Sequence, residues 1–193
     1  DEVQPGFART GDAFWGFQRH GLVPDMVTMG KPMGNGFPLS GTAMRPELVQ
    51  EFGEKARYFN TFGGNPVAAA AGMAVLDVIA DEGLQNNAAT VGGALKNGLQ
   101  DIAARYPEIG HVRGAGLFLA VECVTSRATN APDAARAKFV VNHMRQNAVL
   151  ISATGPGANV LKIRPPLVLQ QPEAALFLDV AEAAFAAARA AGI

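Results

Sequence analysis

Met29-Gly30-Lys31-Pro32-Met33-Gly34-Asn35-Gly36 sets a lysine at the mouth of a loop that carries three glycines. Just upstream, Asp25-Met26-Val27-Thr28-Met29-Gly30 reads as a short strand, with β-compatible residues bounded by Pro24 and Gly30. A lysine that leaves a strand into such a loop can reach a group bound closely against backbone. A phosphate-binding P-loop would need G-x-x-x-x-G-K-[ST]. Here Pro32 follows Lys31, and Asp25 stands where the first glycine belongs, so that reading fails. A G-x-G-x-x-G turn is missing too, because Leu39 occupies the third glycine position after Gly34 and Gly36. A Schiff-base lysine remains, its amine condensing with a carbonyl of substrate or cofactor. A solvated surface lysine fits the same residues, and the local pattern leaves both readings open.

Outward from this loop, residues 39–44 read as a second strand, and Arg45-Pro46-Glu47 opens a short helix with proline in its first turn. The loop 60–66 carries Gly63, Gly64 and Pro66, and residues 67–80 after it are helical in composition. Beyond Gly83 the texture changes. Leu84, Val91, Leu95, Leu99 and Ile102 line one side of a long amphipathic helix that Pro107 ends. Residues 112–124 read as a buried strand or strand pair interrupted by Gly114 and Gly116. Residues 134–147 read as a helix, 149–152 and 160–164 as extended, and 174–190 as an Ala-rich helix. Strands alternating with helices put the chain in the α/β or α+β class, with a boundary near residues 80–85.

Composition narrows the function. Hydrophobic residues at 49% against 17% charged can build a core and argue against disorder. Sixteen basic residues oppose seventeen acidic ones, so nothing favours nucleic acid or an anionic membrane surface. The run 67–80 is interrupted by Asp77 and is shorter than the ~20 residues of a membrane span. Cys123 is the single cysteine and cannot form an internal disulfide, which points to a reducing, cytoplasmic setting. His20, His111 and His143 show no metal-ligand spacing with one another or with Cys123, so no metal is expected.

Several further motifs stand in line with the lysine: Asp1-Glu2-Val3-Gln4, Arg9-Thr10-Gly11, Pro24-Asp25, Thr28-Met29-Gly30-Lys31, Thr61-Phe62-Gly63-Gly64-Asn65-Pro66 and Asn159-Val160-Leu161-Lys162-Ile163-Arg164-Pro165-Pro166-Leu167. Lys31 lies thirty positions after Asp1, and Thr61 thirty further on. In order and spacing the chain resembles the class III aminotransferases over essentially its whole length. Within them it is most similar to the branch holding alanine–glyoxylate-type aminotransferases and the phospholyases of phosphorylated amino alcohols.

The resemblance implies an α/β fold of fold-type I pyridoxal-phosphate enzymes. Residues 1–82 would be the second half of the large cofactor domain, and residues 83–193 the small C-terminal α/β domain. The first half of the large domain, with its phosphate-cradling Gly/Ser loop and ring-stacking aromatic, would lie on chain upstream of Asp1. The implied cofactor is pyridoxal 5'-phosphate. Asp1 would hold the proton on its pyridine nitrogen, Val3 would pack on the ring face, and Gln4 would bond near the phenolic oxygen. Lys31 would carry the cofactor and then serve as general base. Thr61 would give its hydroxyl to the cofactor phosphate of the neighbouring subunit, which implies a homodimer. Where the family usually has an arginine for the substrate carboxylate, this chain has Lys162, with Arg164 two residues on and on the same strand face. Lysine is a point charge without arginine's planar fork, which puts bidentate carboxylate recognition in question.

The implied function is transfer of an amino group from an amine or amino acid to a keto acid or aldehyde. A phospholyase acting on a phosphorylated amino alcohol is the alternative. A catalytically inactive binding or assembly module is a third reading, against which intact Asp1, Lys31 and Thr61 speak.

Overall fold

The computed structural model describes residues 1–193. The chain divides into two compact units, Asp1–Gln85 and Asn86–Ile193.

In the first unit, β1 (Met26–Met29) pairs antiparallel with β2 (Gly41–Met44), with Met26 opposite Met44 and Met29 opposite Gly41. The 3₁₀ turn Lys31–Gly34 follows β1 directly. Two helices complete the unit: α1 (Pro46–Lys55) and α2 (Pro66–Asp81). Both start with proline in the first turn, where its missing N–H costs nothing. Asn65 caps α2, its Oδ1 accepting from Ala68 N at 2.9 Å. Ahead of β1, Phe7, Phe14 and Trp15 form an aromatic cluster with ring centroids 4.7–5.6 Å apart.

This unit buries little of its apolar surface. Thirteen of the chain's sixteen exposed large hydrophobic residues belong to it, among them Tyr58, Phe59, Phe62, Val67 and Met73. Helix α2 is apolar but for Asp77 and Asp81, yet only Ala68 and Ile79 are buried. A helix of that composition is normally surrounded by protein.

The second unit has a conventional core. Helix α3 (Leu84–Arg105), which begins two residues before it, lays Val91, Leu95, Leu99 and Ile102 onto a four-stranded antiparallel sheet. The strands β3 (Ile109–Ala115), β4 (Phe118–Cys123), β5 (Ser152–Thr154) and β6 (Val160–Ile163) run in the order β3-β4-β6-β5. Leu119, Val121 and Cys123 of β4 and Leu161 and Ile163 of β6 point into the core. Helices α4 (Ala134–Gln146) and α5 (Gln171–Ala190) add Val140, Met144 and Phe185. The expected strand pair around Gly114 and Gly116 is the β3–β4 hairpin. Gly116, at φ +51°, supplies the left-handed residue of its two-residue turn. No helix of the chain is long and apolar enough to cross a membrane.

One strand is displaced from its expected place. Residues 149–152 read as extended, whereas β5 begins at Ser152. The end of α4 accounts for the shift. Ala148 sits at φ +63°, Val149 N donates to Met144 O at 2.9 Å, and Ala148 N donates to Arg145 O. These bonds are a Schellman closure with alanine at the position glycine usually takes. They hold Val149 and Ile151 against the core before the chain can enter the sheet.

Candidate active site

Asp1, Val3, Gln4, Lys31 and Thr61 all lie in the first unit, and Lys162 and Arg164 in the second. The opening segment runs beside β1, since Glu2 N donates to Thr28 O at 2.8 Å. Asp1 is exposed, and its Oδ1 accepts from Val3 N at 2.9 Å. Val3 reaches the lysine turn: a Cβ placed on Gly30 would lie 3.7 Å from Val3 Cγ2 and 3.7 Å from Ser40 Cβ. The residue before Lys31 therefore touches both the opening segment and the chain leading into β2.

Lys31 is exposed, with its backbone at φ +40°. A non-glycine residue in this region costs on the order of 1–2 kcal/mol, and Pro32 restricts it further. The turn holds it there. Met33 N donates to Gly30 O and Asn35 N to Pro32 O, both at 3.1 Å, and Asn35 and Gly36 also take positive φ. Behind the turn, α2 packs close. A Cβ on Gly72 would fall 2.8 Å from Leu39 Cδ2, and one on Gly34 would fall 3.1 Å from Leu39 Cβ.

Thr61 is exposed in the turn that precedes α2. Asn60 Oδ1 accepts from Phe62 N at 3.1 Å, and Asn65 Nδ2 donates to Phe62 O at 2.8 Å. Because Asn65 is the cap of α2, Thr61 does not serve in that role.

In the second unit, Lys162 stands opposite Ala120 in β4 and Ser152 in β5. This is the sheet face turned away from the core, which also carries Phe118 and Glu122. Arg164 joins them with its guanidinium carbon 4.5 Å over the Phe118 ring. Burial pushes the Arg164 guanidinium below the usual arginine range. Arg113, opposite Ala120 on the other side, bonds Glu122 Oε2 at 2.6 Å across the hairpin. One open face thus collects Arg113, Glu122, Lys162 and Arg164. The sequence linked Lys162 with Arg164 by their two-residue spacing. The Arg113–Glu122 pair, set by hairpin register, was not foreseen.

Sequence reading also passed over Glu2, which is 2% exposed. Its Oε2 accepts from Gly16 N at 2.6 Å and its Oε1 from Phe17 N at 3.0 Å. The sequence offers no signal for this beyond a charged residue standing between Asp1 and Val3. A separate cavity of about 360 Å³ in the second unit is lined by Leu95, Ile151, Ile163, Phe177, Arg164 and Glu173. Of the predicted site residues it contains Arg164 alone.

The chain is similar to known proteins over most of its length. An alanine–glyoxylate aminotransferase 2 homologue of Arabidopsis thaliana, named as mitochondrial, is 46% identical over 179 residues, covering 93% of this chain and 37% of its own. A phospholyase from Arthrobacter, solved in complex with phosphoethanolamine, superposes with a TM-score of 0.92 at 45% identity. That match covers 96% of this chain and 44% of the phospholyase. An amine transaminase from an uncultivated Pseudomonas species, solved in a PLP-bound form, gives a TM-score of 0.87 at 34% identity, covering 96% and 43%. The chain therefore spans less than half the length of the proteins it matches. The sequence model described as Aminotransferase class-III matches residues 1–185, taking in the Asp1–Gln4 segment, the Lys31 turn, the Thr61 turn and the Lys162–Arg164 strand. The chain belongs to the class III aminotransferase family.

Proposed function

We propose that this chain is the C-terminal part of a pyridoxal-phosphate-dependent aminotransferase, which moves an amino group from an amine or amino acid to a keto acid or aldehyde. The observation that carries the reading is the strained, exposed Lys31 turn with Val3 packed beside it, in a chain matched by the family over residues 1–185. Residues 1–82 belong, in this reading, to the large cofactor domain and residues 83–193 to the small one.

The donor set fits the cofactor. Asp1 offers a carboxylate for a protonated ring nitrogen, Val3 an apolar surface for a ring face, and Lys31 an amine for the aldehyde carbon. Gln4 offers an amide for the phenolic oxygen. Thr61, relieved of capping by Asn65, offers a hydroxyl to the phosphate. When bound, pyridoxal phosphate supplies the electron sink that lets a substrate Cα give up its proton. Asp1 keeps the ring nitrogen's proton in place by charge. Lys31, once its amine is free, takes the proton from the substrate Cα as general base. Lys162 and Arg164 bind the anionic end of the substrate from their shared sheet face.

A homodimer completes the proposal, with Thr61 serving the partner's cofactor. It is supported by the exposed Tyr58, Phe59 and Phe62 around Thr61 and by the uncovered apolar surface of α2. A cytoplasmic setting is part of the same reading, supported by a lone, buried thiol at Cys123.

A second reading, phospholyase, is favoured by one observation: Lys162 gives a point charge where the family's usual arginine would give a planar fork, and a phosphate suits that charge. Both reactions begin with proton removal by Lys31. They part when a phosphate on the neighbouring carbon departs or is absent. The test uses the full-length enzyme with a phosphorylated amino alcohol and no keto acid. Negligible phosphate release, with amino transfer to added keto acids, supports the aminotransferase; sustained phosphate release without any acceptor overturns it in favour of the lyase. Borohydride reduction and peptide mapping check the shared step, and a label on any lysine other than Lys31 refutes it.

A further inference from the structure

We propose that Glu2 is a positioning residue, which fixes Asp1, Val3 and Gln4 relative to the Lys31 turn; this rests on the roles proposed above for those four residues. Glu2 is 2% exposed. Backbone N–H groups hold its carboxylate. Gly16 N donates to Oε2 at 2.6 Å and Phe17 N to Oε1 at 3.0 Å, so both carboxylate oxygens are engaged from the start of the 3₁₀ turn Gly16–His20. Glu2 N donates to Thr28 O at 2.8 Å, and Glu2 O accepts from Gly6 N at 3.2 Å. Thr28 lies on β1, three residues before Lys31, so one backbone bond ties the register of Asp1 and Val3 to that of the lysine.

The surroundings are packed to fit this one side chain. A Cβ on Gly6 would lie 2.8 Å from Glu2 O, and one on Gly16 would lie 2.6 Å from Pro5 Cβ and 3.3 Å from Glu2 Oε2. Past Gly6, the Phe7–Phe14–Trp15 cluster stiffens the loop that presents the Gly16 and Phe17 amides. From Val3 onward the chain turns, with Gly6 N closing onto Glu2 O, so the gripped Glu2 is the root of the turn that carries Val3 and Gln4, and Asp1 is tied to that turn through Val3 N. An apolar side chain of equal size would leave two buried N–H groups without acceptors and set no direction. Groups that hold a binding residue from behind commonly matter about 10–100-fold for affinity, as seen at metal sites.

The experiment compares Glu2→Ala and Glu2→Gln with wild type and with Asp1→Ala in the full-length protein. Three quantities are read: unfolding temperature of the apoprotein, the dissociation constant of pyridoxal phosphate, and the ¹⁵N shift of its labelled ring nitrogen at pH 8. Glu2→Ala is expected to weaken cofactor binding about tenfold or more and to move the ¹⁵N shift towards the unprotonated value. Glu2→Gln keeps one acceptor and should fall between Glu2→Ala and wild type. A lower unfolding temperature with wild-type ¹⁵N shift and affinity would make Glu2 a plain loop staple and overturn the proposal. Should Asp1→Ala leave the ¹⁵N shift unmoved, the role of Asp1 itself fails, a result separate from any Glu2 outcome. If Glu2→Ala yields no folded protein, Glu2→Gln and hydrogen exchange of the wild-type apoprotein decide. Protection of the Gly16 and Phe17 amides supports the clamp, and free exchange there refutes it.

Discussion

Gly92 and Gly93 are adjacent on α3, and the structure gives them opposite expected responses to alanine. A Cβ on Gly92 would fall 2.6 Å from Gly116 Cα and closer still to the Gly116 carbonyl carbon and oxygen. Ordinary carbon contacts start near 3.5 Å, so helix and hairpin would have to part by roughly 1.5 Å. The obstacle is backbone, which cannot rotate aside as a side chain can. Overpacking of this kind costs about 1–3 kcal/mol or more, against a helix-propensity gain of about 1 kcal/mol for replacing glycine. A net loss of about 2 kcal/mol is expected for Gly92→Ala. At Gly93 nothing lies within 4 Å of the added carbon, so the propensity gain of up to about 1 kcal/mol stands alone. Thermal unfolding of the full-length variants should place Gly93→Ala above wild type and Gly92→Ala below it, ~3 kcal/mol or a few degrees apart in a protein more than twice this length. The displaced hairpin includes β4, which pairs with β6 at Ala120 and Lys162, so Gly92→Ala should also raise KM for anionic substrates while Gly93→Ala leaves it unchanged. Equal stability for the two variants, or a stable Gly92→Ala enzyme, would refute the reasoning.

Burial pushes the Cys123 thiol up to about 12, with the Asp133 charge adding to the shift. At pH 8 roughly one molecule in 10⁴ carries the thiolate, so a chromogenic disulfide reagent should label the native protein far more slowly than the unfolded one. The folded state binds the proton more tightly than the unfolded chain, so this thiol's contribution is complete below pH 9. It should decline by about 1.4 kcal/mol per unit as pH rises from 9 towards 12, a slope that Cys123→Ala should remove from urea titrations. For the shared site, dimers mixed from Lys31→Ala and Thr61→Ala chains should hold one site with both defects and one with neither. Activity near half of wild type in purified hybrids is expected, and inactivity in every mixture would place Thr61 in its own subunit's site.

What the sequence made legible was whatever repeats with the period of an element. Leu84, Val91, Leu95, Leu99 and Ile102 announced α3 because buried positions on a helix recur every three or four residues, and all five are buried. The Lys31 turn was legible through its glycines and proline, whose backbone preferences are local. The sequence reads 149–152 as extended, but the paired strand starts only at Ser152, because a left-handed alanine is not a sequence signal. Only the bonds from Ala148 and Val149 back into α4 show where the helix stops. The acceptor geometry at Ala68 N, which composition does not encode, makes Asn65 the cap of α2. Glu2 escaped notice for a third reason. Its partners Gly16 and Phe17 stand fourteen and fifteen residues away and take part through backbone N–H groups, which every residue but proline carries. Side-chain type cannot encode such a contact.

The same distinction bears on which reaction the enzyme performs. The groups common to both proposed reactions sit on tightly constrained backbone in the first unit: Lys31 at φ +40° between Gly30 and Pro32, and Asp1 and Val3 on either side of the gripped Glu2. A group that must remove a proton gains from being held in one place, because misplacement of about 1 Å can cost on the order of 10²-fold in rate. Strain of a kcal/mol or two at Lys31 is small beside that. The groups proposed to separate the reactions are of another kind. Lys162 lies on the interior strand β6 and Arg164 just past its end, and their order fixes only that they share a face. Exchanging Lys162 for arginine there restores a planar fork without touching the constrained turn. Lys162→Arg should therefore raise kcat/KM for carboxylate-bearing amino donors relative to phosphorylated amines, while cofactor affinity stays at the wild-type value. An equal fall for both substrate classes would mean that Lys162 supports the sheet and does not meet the substrate.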